Sequence, residues 1–88
     1  MNMMLVILND RDAESVLRAL VEQEFRATRI ASTGAFLRKG NTTLLIGLEQ
    51  DKVDEALEII RDQSAEPEEP GHRRATVFVL PVSRYEQL

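Results

Sequence analysis

Apolar residues in this chain fall into segments of two kinds, four with strand character and two with helical spacing. Residues 3–8 are a continuous apolar run, which predicts a buried strand, and residues 75–82 are a nearly continuous apolar run, which predicts a strand with Pro81 at its end or at an edge position. Residues 26–32 alternate instead, with Thr28 and Ile30 on one face and alanines and Arg29 on the other. This period of two predicts a strand with one more hydrated face. Residues 42–48 are β-branched and apolar, and they predict another strand.

The two remaining segments carry the spacing of amphipathic helices. Asp10 is the predicted N-cap of the first helix, which should end near Glu24. Its apolar stripe consists of Ala13, Val16, Leu17, Leu20 and Val21. Asp51 is the predicted N-cap of the second helix. Its stripe consists of Val53, Ala56, Leu57 and Ile60.

The resulting order of elements is βαββαβ within one domain that spans residues 1–88, with an acidic, proline-containing loop at residues 63–74. Right-handed crossovers then favour an α+β ferredoxin-like sandwich, with a four-stranded antiparallel sheet and both helices on one face. Antiparallel strands with one exposed face normally alternate, yet the first and last strands are apolar on both sides. We therefore expect the second face of the sheet to be covered by self-association.

Composition narrows the classes of function. A formal net charge of −4 lacks the basic footprint of a protein that binds nucleic-acid polymers. The absence of cysteine fits a reducing compartment, and no apolar run approaches the roughly 20 residues of a membrane span. We therefore expect a cytoplasmic protein without a membrane partner. His72 is the single histidine and lies in the acidic loop, and no carboxylate pair or metal-ligand spacing is present. No catalytic residue, metal or cofactor is predicted.

Residues 25–47 combine features that suit a small anionic ligand with a flat ring. Phe36 and Leu37 lie between Gly34 and Gly40, where folding alone favours polar residues. Hydrogen-bonding groups and cations surround them, namely Arg26, Thr28, Arg29, Ser32, Thr33, Arg38, Lys39, Asn41, Thr42 and Thr43. Arginine binds phosphate through charge-assisted hydrogen bonds. Each feature also has a structural interpretation without a ligand. The apolar pair could pack at the end of the core or in an oligomer contact, and the cations could be solvated. Gly34 and Gly40 could serve turns, and Gly47 could mark a bulge.

Four segments resemble the PII-like cyclic-di-AMP receptor family. They are FRAT at residues 25–28, STGAFLRKGNTT at 32–43, DKVDE at 51–55 and ATVFVLPV at 75–82. The resemblance implies a homotrimer that binds cyclic-di-AMP, a nucleotide second messenger, at its three subunit interfaces and signals to a downstream protein partner. It assigns ligand contacts to Arg26, Thr28, Phe36, Leu37, Asn41, Gly47 and Phe78.

The chain departs from the family pattern in two places. The loop between the second helix and the last strand is short, and Glu24 stands where asparagine is typical. These departures keep a second hypothesis open, a trimeric adaptor that has lost nucleotide binding and works through protein contacts. A third hypothesis is a small enzyme of the acylphosphatase type on the same topology, although no residue pair marks it.

Overall fold

The computed structural model describes residues 1–30, 40–64 and 75–88. Four strands form one sheet: β1 (Asn2–Asn9), β2 (Arg26–Ile30), β3 (Asn41–Leu48) and β4 (Ala75–Pro81). Two helices, α1 (Asp10–Glu22) and α2 (Val53–Gln63), complete the βαββαβ order. The strand order is β2-β3-β1-β4 and every pairing is antiparallel. The predicted ferredoxin-like α+β fold is therefore confirmed.

The core lies between the sheet and the helices. Alternate residues of β1 are fully or almost fully buried, among them Met4 and Val6, and β3 adds Leu44 and Ile46. From the helices come Val16, Leu20, Ala56 and Ile60. Val21, which the sequence placed on the apolar stripe of α1, is instead 55% exposed. Successive residues of a helix are rotated by about 100° around its axis. Leu20 therefore faces the sheet, and Val21 lies at the edge of the apolar stripe.

Both predicted helix caps are wrong. Asn9, the last residue of β1, caps α1 because its side-chain oxygen accepts a hydrogen bond from the Arg11 amide at 3.3 Å. Asp10 is therefore the first residue of the helix, and its carboxylate accepts a hydrogen bond from the Thr42 hydroxyl on β3. Asp51 lies inside a short 3-10 turn (Gln50–Lys52), and Lys52 precedes α2 without a side-chain cap.

The second face of the sheet, turned away from the helices, is called the open face below. The strand register places four rows of residues on it. These rows are Arg26–Gly47–Met3–Leu80, Thr28–Leu45–Leu5–Phe78, Ile30–Thr43–Ile7–Thr76 and Asn41–Asn9. Met3, Leu5 and Ile7 are only half-buried, and Phe78 and Leu80 are 49% and 43% exposed. The prediction that the first and last strands are apolar on both faces is confirmed.

Candidate functional site

Five of the seven residues predicted to contact a ligand lie on strands that the structure describes and share the open face, and Asn41 among them is the first residue of β3. Thr28 and Gly47 lie one row apart on β2 and β3, and Arg26 pairs directly with Gly47. Phe78 lies on β4, on the same face. Because side chains alternate between the faces of a sheet, one register places all five on one side. Phe36 and Leu37 lie outside the described residues.

Among the described residues of the open face, Arg26 is the cation whose charge is available to a ligand. Arg29 lies three positions further along β2 and on the opposite face of the strand, and its charge is paired with Glu14 at 3.3 Å. Within the described parts of the chain Arg26 makes no ion pair, and its side chain is exposed. An exposed guanidinium without a carboxylate partner keeps its hydrogen-bond donors for an anionic ligand.

Arg26 and Gly47 line a depression of about 440 Å³ at the end of the sheet where β2 begins. Gly47 has no side chain, and the tip of Met1 lies beside it. A Cβ at position 47 would be 3.3 Å from Met1 Cε. The depression also contains carboxylates, contributed by Glu24, Glu49 and Glu55. Glu49 lies 3.8 Å from the amino group of Met1, and Glu55 lies 3.6 Å from Lys52 Nζ.

The end of α1 explains how Phe25 and Arg26 are positioned. Glu24 has a φ of 68°, in the left-handed region, and its amide donates to the Val21 carbonyl at 2.9 Å. The Phe25 amide donates to the Leu20 carbonyl at 2.9 Å. These two bonds form a Schellman C-cap, and Phe25 packs against the core that contains Leu20, which is the hydrophobic contact usual for this motif.

Glutamate is an unusual residue for this left-handed backbone conformation. Asparagine and glycine tolerate left-handed backbone conformations better than other residues do. The departure at Glu24 therefore concerns the turn between α1 and β2 as well as the charge beside Arg26.

The remaining described candidates are spread across the sheet. Gly47 and Asn41 are six positions apart on β3, a separation of about 20 Å at the rise of an antiparallel strand. Thr28 and Phe78 lie in one row but on opposite edges of the sheet, roughly 14 Å apart across three strand spacings. One chain thus brings together Arg26, Thr28 and Gly47, while Asn41 and Phe78 lie at a distance from them.

Two adjacent threonines on β3 have different environments. The Thr42 side chain is on the helix side, where its hydroxyl donates to Asp10. Thr43 is on the open face and is 4% exposed, and among the described residues its Oγ1 has no hydrogen-bond partner. The sequence placed both in a general set of hydroxyl donors and did not distinguish them. Strand alternation counted from Gly47 would have separated the two faces.

Metal binding and membrane insertion each require a recognisable arrangement of residues. Within residues 1–30, 40–64 and 75–88, no cluster of three or more histidine, aspartate or glutamate residues is arranged to hold a metal ion. In the same ranges, neither helix is long and apolar enough to cross a membrane.

Comparison with known proteins gives a match to a family profile and matches to solved structures. The profile of a family described as cyclic-di-AMP receptor matches residues 1–70. The crystal structure of a functionally unknown protein from Pediococcus pentosaceus is similar over 99% of this chain and 96% of that one, with 38% sequence identity and a TM-score of 0.77. The profile match extends over β1 to α2 and so includes the whole segment of residues 25–47.

Proposed function

The chain belongs to the cyclic-di-AMP receptor family, and from that premise we propose that it is a cytoplasmic signal-transduction protein that binds cyclic-di-AMP between the subunits of a homotrimer. Membership of a receptor family indicates a binding protein rather than a catalyst. The ligand and the assembly into several copies are the parts that the following observations support.

The strongest support is the register that gathers Arg26, Thr28 and Gly47 on the open face. A phosphodiester requires cationic or hydroxyl donors, and Arg26 and Thr28 supply both within two residues. A purine requires a ring face and backbone hydrogen bonds, and only the flexible tip of Met1 lies close to the position of a side chain at Gly47. No other described arginine on the sheet combines exposure with freedom from an ion pair.

Assembly of several copies is supported by the apolar surface of the same face. Leu5, Phe78 and Leu80 lie on adjacent strands, and large apolar patches on a small protein usually mark interaction surfaces. The separation of Asn41 and Phe78 from Arg26 points the same way. If one copy contributes Arg26 and its neighbour contributes Phe78, residues that are distant within a chain can contact one ligand.

Calorimetric titration with cyclic-di-AMP tests this proposal, with cyclic-di-GMP and ATP as comparison ligands. We expect saturable binding of cyclic-di-AMP with a stoichiometry of one ligand per subunit. Arg26→Ala should weaken it at least tenfold, because hydrogen bonds to charged groups contribute about 1.5–3 kcal/mol. Arg29→Ala is the matched control, since Arg29 occupies the same strand but pairs with Glu14 on the other face. Absence of heat with all three nucleotides at high micromolar concentration would refute the proposal.

A second candidate function is a trimeric adaptor that does not require a nucleotide. The observation that favours it is Glu24, whose carboxylate lines the depression beside Arg26 and repels an anionic ligand. Capture of a stoichiometric protein partner, with the same affinity in the presence and absence of cyclic-di-AMP, would support the adaptor. A nucleotide-dependent change in that affinity would support the receptor.

A further inference from the structure

Four polar side chains form a diagonal across the β2–β3 ribbon on the open face. They are Arg26, Thr28, Thr43 and Asn41, here called the polar track. Thr28 pairs with Leu45 and Thr43 pairs with Ile30, so the two threonines are diagonal neighbours about 7–8 Å apart. Thr43 thereby connects Thr28 to Asn41, which otherwise lie on separate parts of the sheet. The family resemblance assigned ligand contacts to the other three members and none to Thr43.

Among the buried polar side chains of β3, Thr43 is the one without a hydrogen-bond partner in the described residues. A buried hydroxyl is normally hydrogen-bonded, because leaving it unpartnered costs free energy. Its neighbour Thr42 follows this rule through Asp10. In the described parts of the chain Thr43 does not, although it is 4% exposed. An apolar side chain of the same shape, such as valine, would avoid the cost.

Thr43 lies on the open face between two partly exposed apolar side chains. The register places Ile30 and Ile7 on either side, and both are half-buried and belong to the surface of the open face. A threonine hydroxyl both donates and accepts, so it suits the amino group or ring nitrogen of a base and the hydroxyl of a ribose.

We propose that Thr43 is a further ligand-binding residue, whose hydroxyl bonds the nucleoside part of the bound nucleotide between the contacts of Thr28 and Asn41. This inference rests on the proposed function, because it requires a nucleotide on the open face. It implies a trade-off: the hydroxyl lowers the stability of the free protein and raises the affinity for the ligand.

The test compares Thr43→Val with Thr43→Ser and Thr42→Val. Melting temperature without ligand and cyclic-di-AMP affinity by calorimetry are measured for each. Thr43→Val should melt several degrees higher than the wild type and bind about tenfold more weakly. Thr43→Ser keeps the hydroxyl and should bind within about twofold of the wild type. Thr42→Val loses the bond to Asp10 and should melt lower with unchanged affinity.

The outcomes separate the two proposals. If the wild type binds cyclic-di-AMP and Thr43→Val binds it equally well, the role of Thr43 is wrong while the proposed function stands. If Thr43→Val instead changes the oligomeric state in sedimentation with unchanged affinity, the hydroxyl serves a second copy of the chain and the inference is overturned. If the wild type binds none of the tested nucleotides, the proposed function fails and this inference fails with it.

Discussion

Replacement of Glu24 by glycine is expected to stabilise the protein, although it removes a side chain. Glu24 is the only described residue other than glycine with a positive φ, at 68°. Its side chain is exposed, so the substitution creates no cavity. The two C-cap hydrogen bonds of α1 are made by backbone amides and carbonyls and are retained in the variant.

The size of the effect follows from two opposing terms. A left-handed conformation costs a residue with a Cβ about 1–2 kcal/mol. Glycine avoids this cost but loses about 0.5–1 kcal/mol more conformational entropy on folding. The net gain is about 0.5–1 kcal/mol. For a domain of this size, that corresponds to an increase of about 2–8 °C in the melting temperature.

Circular dichroism of thermal and urea unfolding measures the gain, at equal protein concentrations because assembly adds to apparent stability. Two controls separate backbone strain from other causes. Glu24→Gln removes the charge but keeps the Cβ, and it should match the wild type. Gln23→Gly changes the neighbouring residue, whose φ is −91°, and should lower the melting temperature. If Glu24→Gly is no more stable than Glu24→Gln, the assignment of strain to Glu24 is refuted.

Three further predictions test the core, the glycines and the open face. Leu20→Ala should lower the free energy of unfolding by about 2–5 kcal/mol, while Val21→Ala at the adjacent exposed position should change it by less than about 0.5 kcal/mol; urea titration measures both. Gly47→Ala should fold normally, because only a flexible methionine tip is close, yet lose cyclic-di-AMP affinity in calorimetry. Gly40→Ala, in open space but with a φ of 92°, should instead lose about 1 kcal/mol of stability, and equal stability of the two alanine variants would contradict this reasoning. Leu5→Asp should produce monomers in sedimentation while Val21→Asp leaves the assembly intact, and an intact Leu5→Asp oligomer would exclude the open face as the interface.

The periodicity of the sequence was sufficient to predict the fold and the faces of its strands. Alternation in β2 placed Thr28 and Ile30 on one face, and the register confirms it. The continuous apolar runs of β1 and β4 predicted an uncovered apolar face, and Leu5 and Phe78 lie on it. These properties depend on side-chain hydrophobicity repeated over several residues, which a single sequence displays directly.

Structural features that depend on a single residue could not be predicted from the sequence. Asn9 and Asp10 are both good N-cap residues, and the choice depends on where β1 stops, which no local pattern specifies. The positive φ of Glu24 follows from the way α1 must turn into β2, and glutamate gives no sign of it. Thr42 and Thr43 are identical in type, yet Asp10 accepts a hydrogen bond from Thr42, while Thr43 has no partner among residues 1–30, 40–64 and 75–88.

The placement of the polar track also bears on how such receptors can diversify. Its residues all come from residues 26–43, on one ribbon at one edge of the sheet, whereas Leu5, Phe78 and Leu80 belong to the opposite half. Mutation or recombination within that single stretch can therefore alter what is recognised without rebuilding the surface on which copies meet. Phe78 is common to both functions, so a lineage can exchange most of its ligand contacts while it keeps the apolar surface on which its copies assemble.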